Sequence, residues 1–369
     1  MKQGWTYKKL GDSCVIEYGT RVVQKKDGGT IYPVYGGGGE TFRMDKYNRE
    51  NCLVVARFAM SRTCVRYVTG KFFLNDSGLS INAGKELLQS YLNHHILHLN
   101  DDIYNLGKGA AQRNLDVNSF RNLIIAIPPL STQLSIVSEL DKINELIRLK
   151  KEQLKDYDNL AQSIFYEMFG DPVVNEKGWE VKKLIETVVL ECTISYGIVQ
   201  PGDGVEDGIP VVRPIDLTGT FVSTNNLKKT TEKISSSYSR TILTGKELLV
   251  CVRGTTGVCS LVTDELKGCN VTRGITPLLF NDNTDRWFMY YQFQMPQIKC
   301  IIADYTKGIT LKQINMADFR KIPVILPPLP LQQLFAQRIE LIEKQKAEVQ
   351  RTIADLETLL ASRMQYWFD

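Results

Sequence analysis

No stretch of this 369-residue sequence runs to 18 apolar residues, so no helix long and apolar enough to cross a membrane is expected. The start, MKQGWTYKKLGD, lacks the apolar core of a secretory signal. Cysteine is present eight times, at 14, 52, 64, 192, 251, 259, 269 and 300, but never as C-x-x-C. That spacing offers neither a disulfide framework nor a zinc knuckle. It predicts reduced, mostly buried thiols and a cytoplasmic location. Histidine is scarcer still, with only His94, His95 and His98. His94 and His98 lie four apart, as metal ligands on one helix face sometimes do. No cysteine or carboxylate stands close by in sequence to complete a shell, so a structural helix end is expected and no metal site.

Catalytic signatures are equally sparse. Neither a P-loop nor a G-x-G-x-x-G is present. The two Pro-Pro pairs follow Ile127 and Leu326 and precede leucines. An amino-methylating turn needs Asn or Asp before Pro-Pro and an aromatic after it. These pairs therefore stop a strand and start a helix. Glu180-Val181-Lys182, with Asp171 upstream, imitates the E-x-K end of a metal-dependent nuclease site. Gly36 to Gly39 lacks a following Lys-Ser/Thr and suggests a loop that lets backbone approach a partner.

What the sequence does contain is itself, twice. Residues 107–136 and 306–335 align without a gap at an offset of 199. They match at Lys108/Lys307, Gly109/Gly308, Phe120/Phe319, Arg121/Arg320, Pro128-Pro129-Leu130/Pro327-Pro328-Leu329 and Gln133/Gln332. Trp5-Thr-Tyr-Lys-Lys-Leu10 returns as Trp179-Glu-Val-Lys-Lys-Leu184 at an offset of 174. The second copy is thus longer by 25 residues in its middle. At the position matching the E-x-K decoy the first copy has Thr6-Tyr7-Lys8, without a carboxylate, which argues against a nuclease. Two further pairs lie between: Tyr32-Pro33-Val34-Tyr35 with Ile209-Pro210-Val211-Val212, and Leu53 to Arg57 with Leu249 to Arg253.

Each copy has two parts. About 130 residues of short strand-like runs, with occasional helices such as 84–99, end at a Pro-Pro pair. A stretch without Gly or Pro follows, over 131–169 and again over 331–369. As a helix each is about 57 Å long. Apolar residues recur in steps of three and four, from Ile136, Leu140 and Ile143 to Met168, and from Phe335, Ile339 and Ile342 to Trp367. A seam of about ten turns needs a partner of equal length, and the other helix is the obvious one. The predicted fold is α/β (mixed α+β): two pseudo-repeated globular domains, 1–130 and 171–329, joined by two long helices, 131–170 and 330–369, forming an antiparallel coiled coil. Charge divides along the same line. The helical segments 131–169 and 330–368 hold 10 basic and 12 acidic residues, net −2, and the rest of the chain 35 and 29, net +6. A modestly basic globular part suits a polyanionic partner.

With this organisation the chain resembles the specificity subunit of Type I restriction-modification enzymes along nearly its whole length. The doubled IAIPPLSTQ and VILPPLPLQ segments carry the resemblance, with the two Trp-x-x-x-Lys-Leu openings and the Met168-to-Asp171 end of the first helix. It implies a non-catalytic DNA reader whose two domains each take one half of a bipartite, asymmetric target. The helices would set the gap and dock two methyltransferase subunits, with restriction subunits joining the full complex. The chain would bind double-stranded DNA and no cofactor of its own, S-adenosylmethionine belonging to the methyltransferases. A protein-scaffold role remains the alternative, since coiled coils bind proteins as readily as they space domains. The second copy has Arg253-Gly254-Thr255-Thr256-Gly257, similar to the family's glycine-rich loop; Arg57-Phe58-Ala59-Met60-Ser61 lacks both glycines.

Base edges are read by Arg, Lys, Asn and Gln, and phosphates are held by Lys, Ser and Thr. Candidates in the first copy are Lys25, Lys26, Arg43, Arg57, Arg62 and Arg66. In the second they are Arg213, Arg253, Thr255, Thr256, Arg273 and Lys312. Lys108 and Lys307, at matching places before the helices, form a predicted phosphate clamp. Arg57 and Arg253 stand out because each follows an apolar run at a turn.

Overall fold

The computed structural model describes residues 2–109, 112–308 and 312–369. Two compact units emerge, and neither is continuous in sequence. The first is Met1–Glu152 with Gln350–Asp369; the second is Gln153–Val349. Each takes one globular part and a piece of each long helix, Leu130–Phe169 and Leu329–Phe368.

In the first unit a six-stranded sheet carries the globular part, with Arg49–Ala56 in its interior between Gly78–Ala83 and Val65–Leu74. Arg49–Ala56 ends in five buried residues in succession, Cys52 to Ala56, so both faces of the sheet are covered there. Leu53 and Val55 face the helical side with Tyr91, Leu92 and Ile96 of the helix Gln89–His98. Cys52 and Val54 face the other side with Val68, Phe72 and Leu74. The second unit repeats this. Leu248–Cys251 lies between Cys259–Leu261 and Ile275–Leu278, with Leu248 and Val250 on the helical side and Leu249 and Cys251 opposite.

Tyr32–Gly36 and Ile209–Val212, paired in sequence, are paired in structure too. Each runs antiparallel to the strand that follows it and parallel to a later one: Val34 faces Phe73, and Val211 faces Asn270. The copies differ at one strand. Val65–Leu74 is ten residues long and serves both neighbours, so the first unit's main sheet is continuous. The second unit spends those positions on two short strands, Cys259–Leu261 and Asn270–Val271, and its sheet splits into two of three strands.

The apolar run Leu53–Arg57 does not match Leu249–Arg253 in register. The backbone N–H of Leu115 donates to the carbonyl of Arg57, and that of Ile314 to the carbonyl of Val252. Arg57 therefore corresponds to Val252, and Leu53 to Leu248. Along the apolar stretch Leu53–Ala56 either register reads equally well, but a slip of one residue exchanges the two faces. Only the two cores distinguish them.

Both long helices begin with the same lock. Gln133 and Gln332 are fully buried. The Gln133 amide donates to the carbonyls of Glu86 and Pro128 and accepts from Leu88 N–H. Gln332 donates to Asn283 and Pro327 and accepts from Asp285 N–H. A side-chain amide in this place satisfies one proline carbonyl before each helix and ties it to the backbone of another segment, Glu86 and Leu88 or Asn283 and Asp285.

The helix segments are antiparallel within each unit. In the first, Arg363 and Trp367 Nε1 reach Glu139, while Lys151 Nζ lies 2.7 Å from Glu357. In the second, Lys346 Nζ lies 2.8 Å from Asp158, and Phe335 packs on Phe165 and Phe169. Near the end of the first helix the buried stripe keeps the expected Ala161 but moves from the expected Ile164 and Met168 to Phe165 and Phe169. Steps of four bring Phe165 and Phe169 against Phe288 as well as against the partner helix. The predicted helix at 84–99 is shorter, Gln89–His98, because the Gln133 lock holds Leu88 extended.

Candidate nucleic-acid interface

In the first unit the strand Arg49–Ala56 runs directly into a loop holding Arg57, Phe58, Ala59, Ser61 and Arg62. The loop turns at Ala59, whose φ of 49° is left-handed and whose N–H donates to Asn114 Oδ1. Arg57 lies over the rings of Tyr18 and Phe58, at 4.9 and 4.4 Å, and donates to the Asp76 carbonyl. Arg62 is exposed and lies 5.0 Å from the Tyr104 ring. Cation–π packing of this kind holds a guanidinium in place without consuming its donors.

The second unit builds the same loop from Val252 onward, with glycines where the first has none. Gly254 and Gly257 both have φ of 88°, and a Cβ on Gly257 would press on Ile302. Thr255 is exposed at the turn, and Thr256 shares a hydroxyl hydrogen bond with Thr306. Among the described residues the Arg253 guanidinium has no hydrogen-bond or ion-pair partner, and its backbone bridges to Gln313. Arg273 lies 6.0 Å from the Tyr196 ring, whose hydroxyl accepts from Gln313.

The other candidates fall elsewhere. Lys25 and Lys26 are exposed on the short helix Gln24–Asp27. Arg43 sits on Gly39–Met44, donating to the Ile31 carbonyl beside Glu40. Arg66 donates to the carbonyls of Gly37 and Thr63. Within the glycine run, a Cβ on Gly37 would collide with the Phe58 carbonyl, so the close approach there is made by the chain itself. Arg213 forms a bidentate pair with Asp216, whose side chain is buried, at 3.0 and 2.9 Å. Its fork is spent inside the fold. Lys108 Nζ lies 2.5 Å from Asp116, and that ammonium holds the Asp116 carboxyl down at about 2. At the matching place Lys307 is exposed and Asn315 stands where Asp116 does, so the two lysines differ in net local charge.

One residue escaped the sequence reading. Arg113 holds the place of Lys312: Met60 N–H donates to the Arg113 carbonyl as Gly254 N–H does to that of Lys312. Its guanidinium lies 4.6 Å from the Tyr104 ring that Arg62 also covers. The signal was present, because the offset of 199 places Arg113 on Lys312.

The decoys resolve locally. Asp171 caps the turn after the first helix, accepting from Val173 and Val174 N–H, while Glu180 is exposed beside Lys182. His94 contacts Asp141 and His98 contacts Asp369, each at 2.7 Å, and His95 stacks on Phe368. All eight cysteines are free thiols, and Cys300 is exposed.

A loop carrying arginine, built twice and each time at the end of a sheet's inner strand, defines a paired module. The family described as Type I restriction modification DNA specificity domain matches residues 2–156 and again 177–358, and the chain belongs to it. It is 21% identical over 254 residues to the Type I restriction enzyme EcoBI specificity subunit of Escherichia coli, covering 62% of this chain and 53% of that one. It is 22% identical over 295 residues to the putative type I restriction enzyme MjaX specificity subunit of Methanocaldococcus jannaschii, covering 73% and 66%. The chain thus spans about half to two thirds of the length of these relatives. The S subunit of a Type I restriction-modification system from M. genitalium shares the fold, with a TM-score of 0.57, 15% identity and coverage of 100% and 98%. A chain from a type I R-M system, in a structure concerned with complex assembly and conformational transition, gives a TM-score of 0.56 at 20% identity, covering 99% and 97%. No helix among the described residues is long and apolar enough to cross a membrane.

Proposed function

We propose that this chain is the DNA-sequence-specificity subunit of a Type I restriction-modification complex. Residues 1–130 and 171–329 are its target-recognition domains, and 131–170 with 330–369 the spacer. Each domain reads one half of a bipartite, asymmetric target in double-stranded DNA. The helices fix the gap and dock two methyltransferase subunits, which supply S-adenosylmethionine; restriction subunits join for cleavage. The supporting observation is the loop built twice at equivalent places from different residues. Equivalence gives two readers on one scaffold, and divergence gives them different half-sites. Arg57 and Arg62 in one loop, and Arg253, Thr255 and Arg273 at the other, are its base and phosphate contacts. Lys25, Lys26, Arg43, Thr256, Lys307 and Lys312 add backbone contacts, Arg66 and Lys108 lesser ones, and Arg213 holds its loop in shape. The chain performs no chemistry itself and works in the cytoplasm.

The test is the adenine methylome of the host with the gene intact and deleted, read by modification-sensitive long-read sequencing. Deletion is expected to erase one split methylated motif. An unchanged methylome, with the methyltransferase genes expressed, would overturn the assignment in favour of a protein scaffold.

A further inference from the structure

The sequence alone pairs Lys108 with Lys307 as a phosphate clamp; the structure distributes charge differently. Lys108 is neutralised by Asp116 at 2.5 Å, and Lys307 has no such carboxylate at the matching place. Five residues further along the chain, Arg113 and Lys312 are equivalent by their backbone hydrogen bonds to Met60 and Gly254. Both therefore stand at a fixed point beside the recognition loop of their unit. Their chemistry matches in sign although the loops beside them share little sequence.

Three features of Arg113 indicate a ligand for its guanidinium. It lies against one face of Tyr104, sharing that ring with Arg62. Its Nε is buried and out of a duplex's reach, while at the outer end Nη2 has only a long contact, 3.4 Å, to the Asn105 carbonyl. No carboxylate pairs with it among the described residues. Lys312 is exposed, likewise without a carboxylate partner among the described residues. A position filled by Arg in one unit and Lys in the other suits a point-charge contact, which tolerates that exchange. A positive charge kept beside two loops that otherwise diverge fits a phosphate, which is the same in both half-sites.

We infer that Arg113 and Lys312 are a matched pair of DNA-phosphate contacts that seat the two recognition loops on the duplex, independently of base sequence. The inference rests on the DNA-reading function proposed above. The test uses the full chain and a random-sequence 30-base-pair duplex, with binding followed by fluorescence anisotropy across a salt series. Arg113→Ala and Lys312→Ala are each expected to lower the slope of log affinity against log salt by about 1. Arg113→Lys should restore the parent slope, and the methylated motif in vivo should stay the same in all three. Because Arg113→Ala also strips packing from Tyr104, the exposed Lys312→Ala carries the inference should the former misfold. Parent-like slopes in both alanine variants would overturn it, as would a motif relaxed at one base by Arg113→Ala, which would make that residue a base reader. A parent chain that binds no duplex at low salt would sink the DNA-reading function itself, with the inference.

Discussion

His95 is buried, with Nδ1 unpaired, and its ring lies 4.6 Å from Phe368 at an interplanar angle of 16°. Burial, reinforced by nearby His98 and Lys2, pushes its pKa down to about 3. The unfolded chain, with an ordinary value near 6.5, takes up that proton first. Stability is therefore full above about pH 6.5 and falls by about 1.4 kcal/mol per pH unit below it, levelling off near pH 3. His95 corresponds to Gln292, since Leu88 and Asp285, seven residues before each, receive the same amide lock. Urea melts at pH 7.5 and 5.0 should show His95→Gln losing less stability on acidification than the parent; equal losses would refute the argument. The cluster of histidines was plain in the sequence. Its use in holding the end of the second long helix was not, because Phe368 lies 273 positions away.

Heptad spacing made the two long helices legible as elements, and their observed bounds fall within a residue of those expected. The one charged residue that the spacing sets in the second unit's part of the seam, Lys346, proves to be nearly buried. It bridges Asp158 and Glu343, and Glu343 also accepts from the Tyr291 hydroxyl. Glu343 is itself only 11% exposed, so removing Lys346 strands a buried carboxylate. Lys346→Met is expected to cost about 3 kcal/mol, whereas Lys346→Met with Glu343→Leu should recover most of that loss. Thermal melts of both variants distinguish a needed charge from a merely paired one; a neutral single mutant would show that Glu343 finds other partners. Strand register was harder to read than helix extent. A helical seam repeats over ten turns, while Leu53–Ala56 offers four apolar residues with no polar marker of face.

At the scale of the molecule, the end of each long helix closes a core. Phe368 joins the first unit's core with Tyr91 and Leu140, and Phe169 joins the second's with Phe288 and Phe335. Lysines repeat the arrangement: Lys2 Nζ caps the carbonyls of Tyr366 and Trp367, and Lys177 those of Glu167 and Met168. Truncation after Val349 should leave the second unit's share of the chain intact while opening the first unit's core. Limited proteolysis is expected to degrade 1–152 far faster than 153–349; equal resistance would show that the last 20 residues add little. The sequence by itself determined the duplication, the helices and the kind of protein, because repeats, periodicity and proline stops are local or can be aligned. The tertiary structure alone decided the make-up of each unit, the strand register that separates Arg57 from Arg253, and the equivalence of Arg113 and Lys312. Those depend on which distant residues bury one another, a relation that spacing along a chain does not encode.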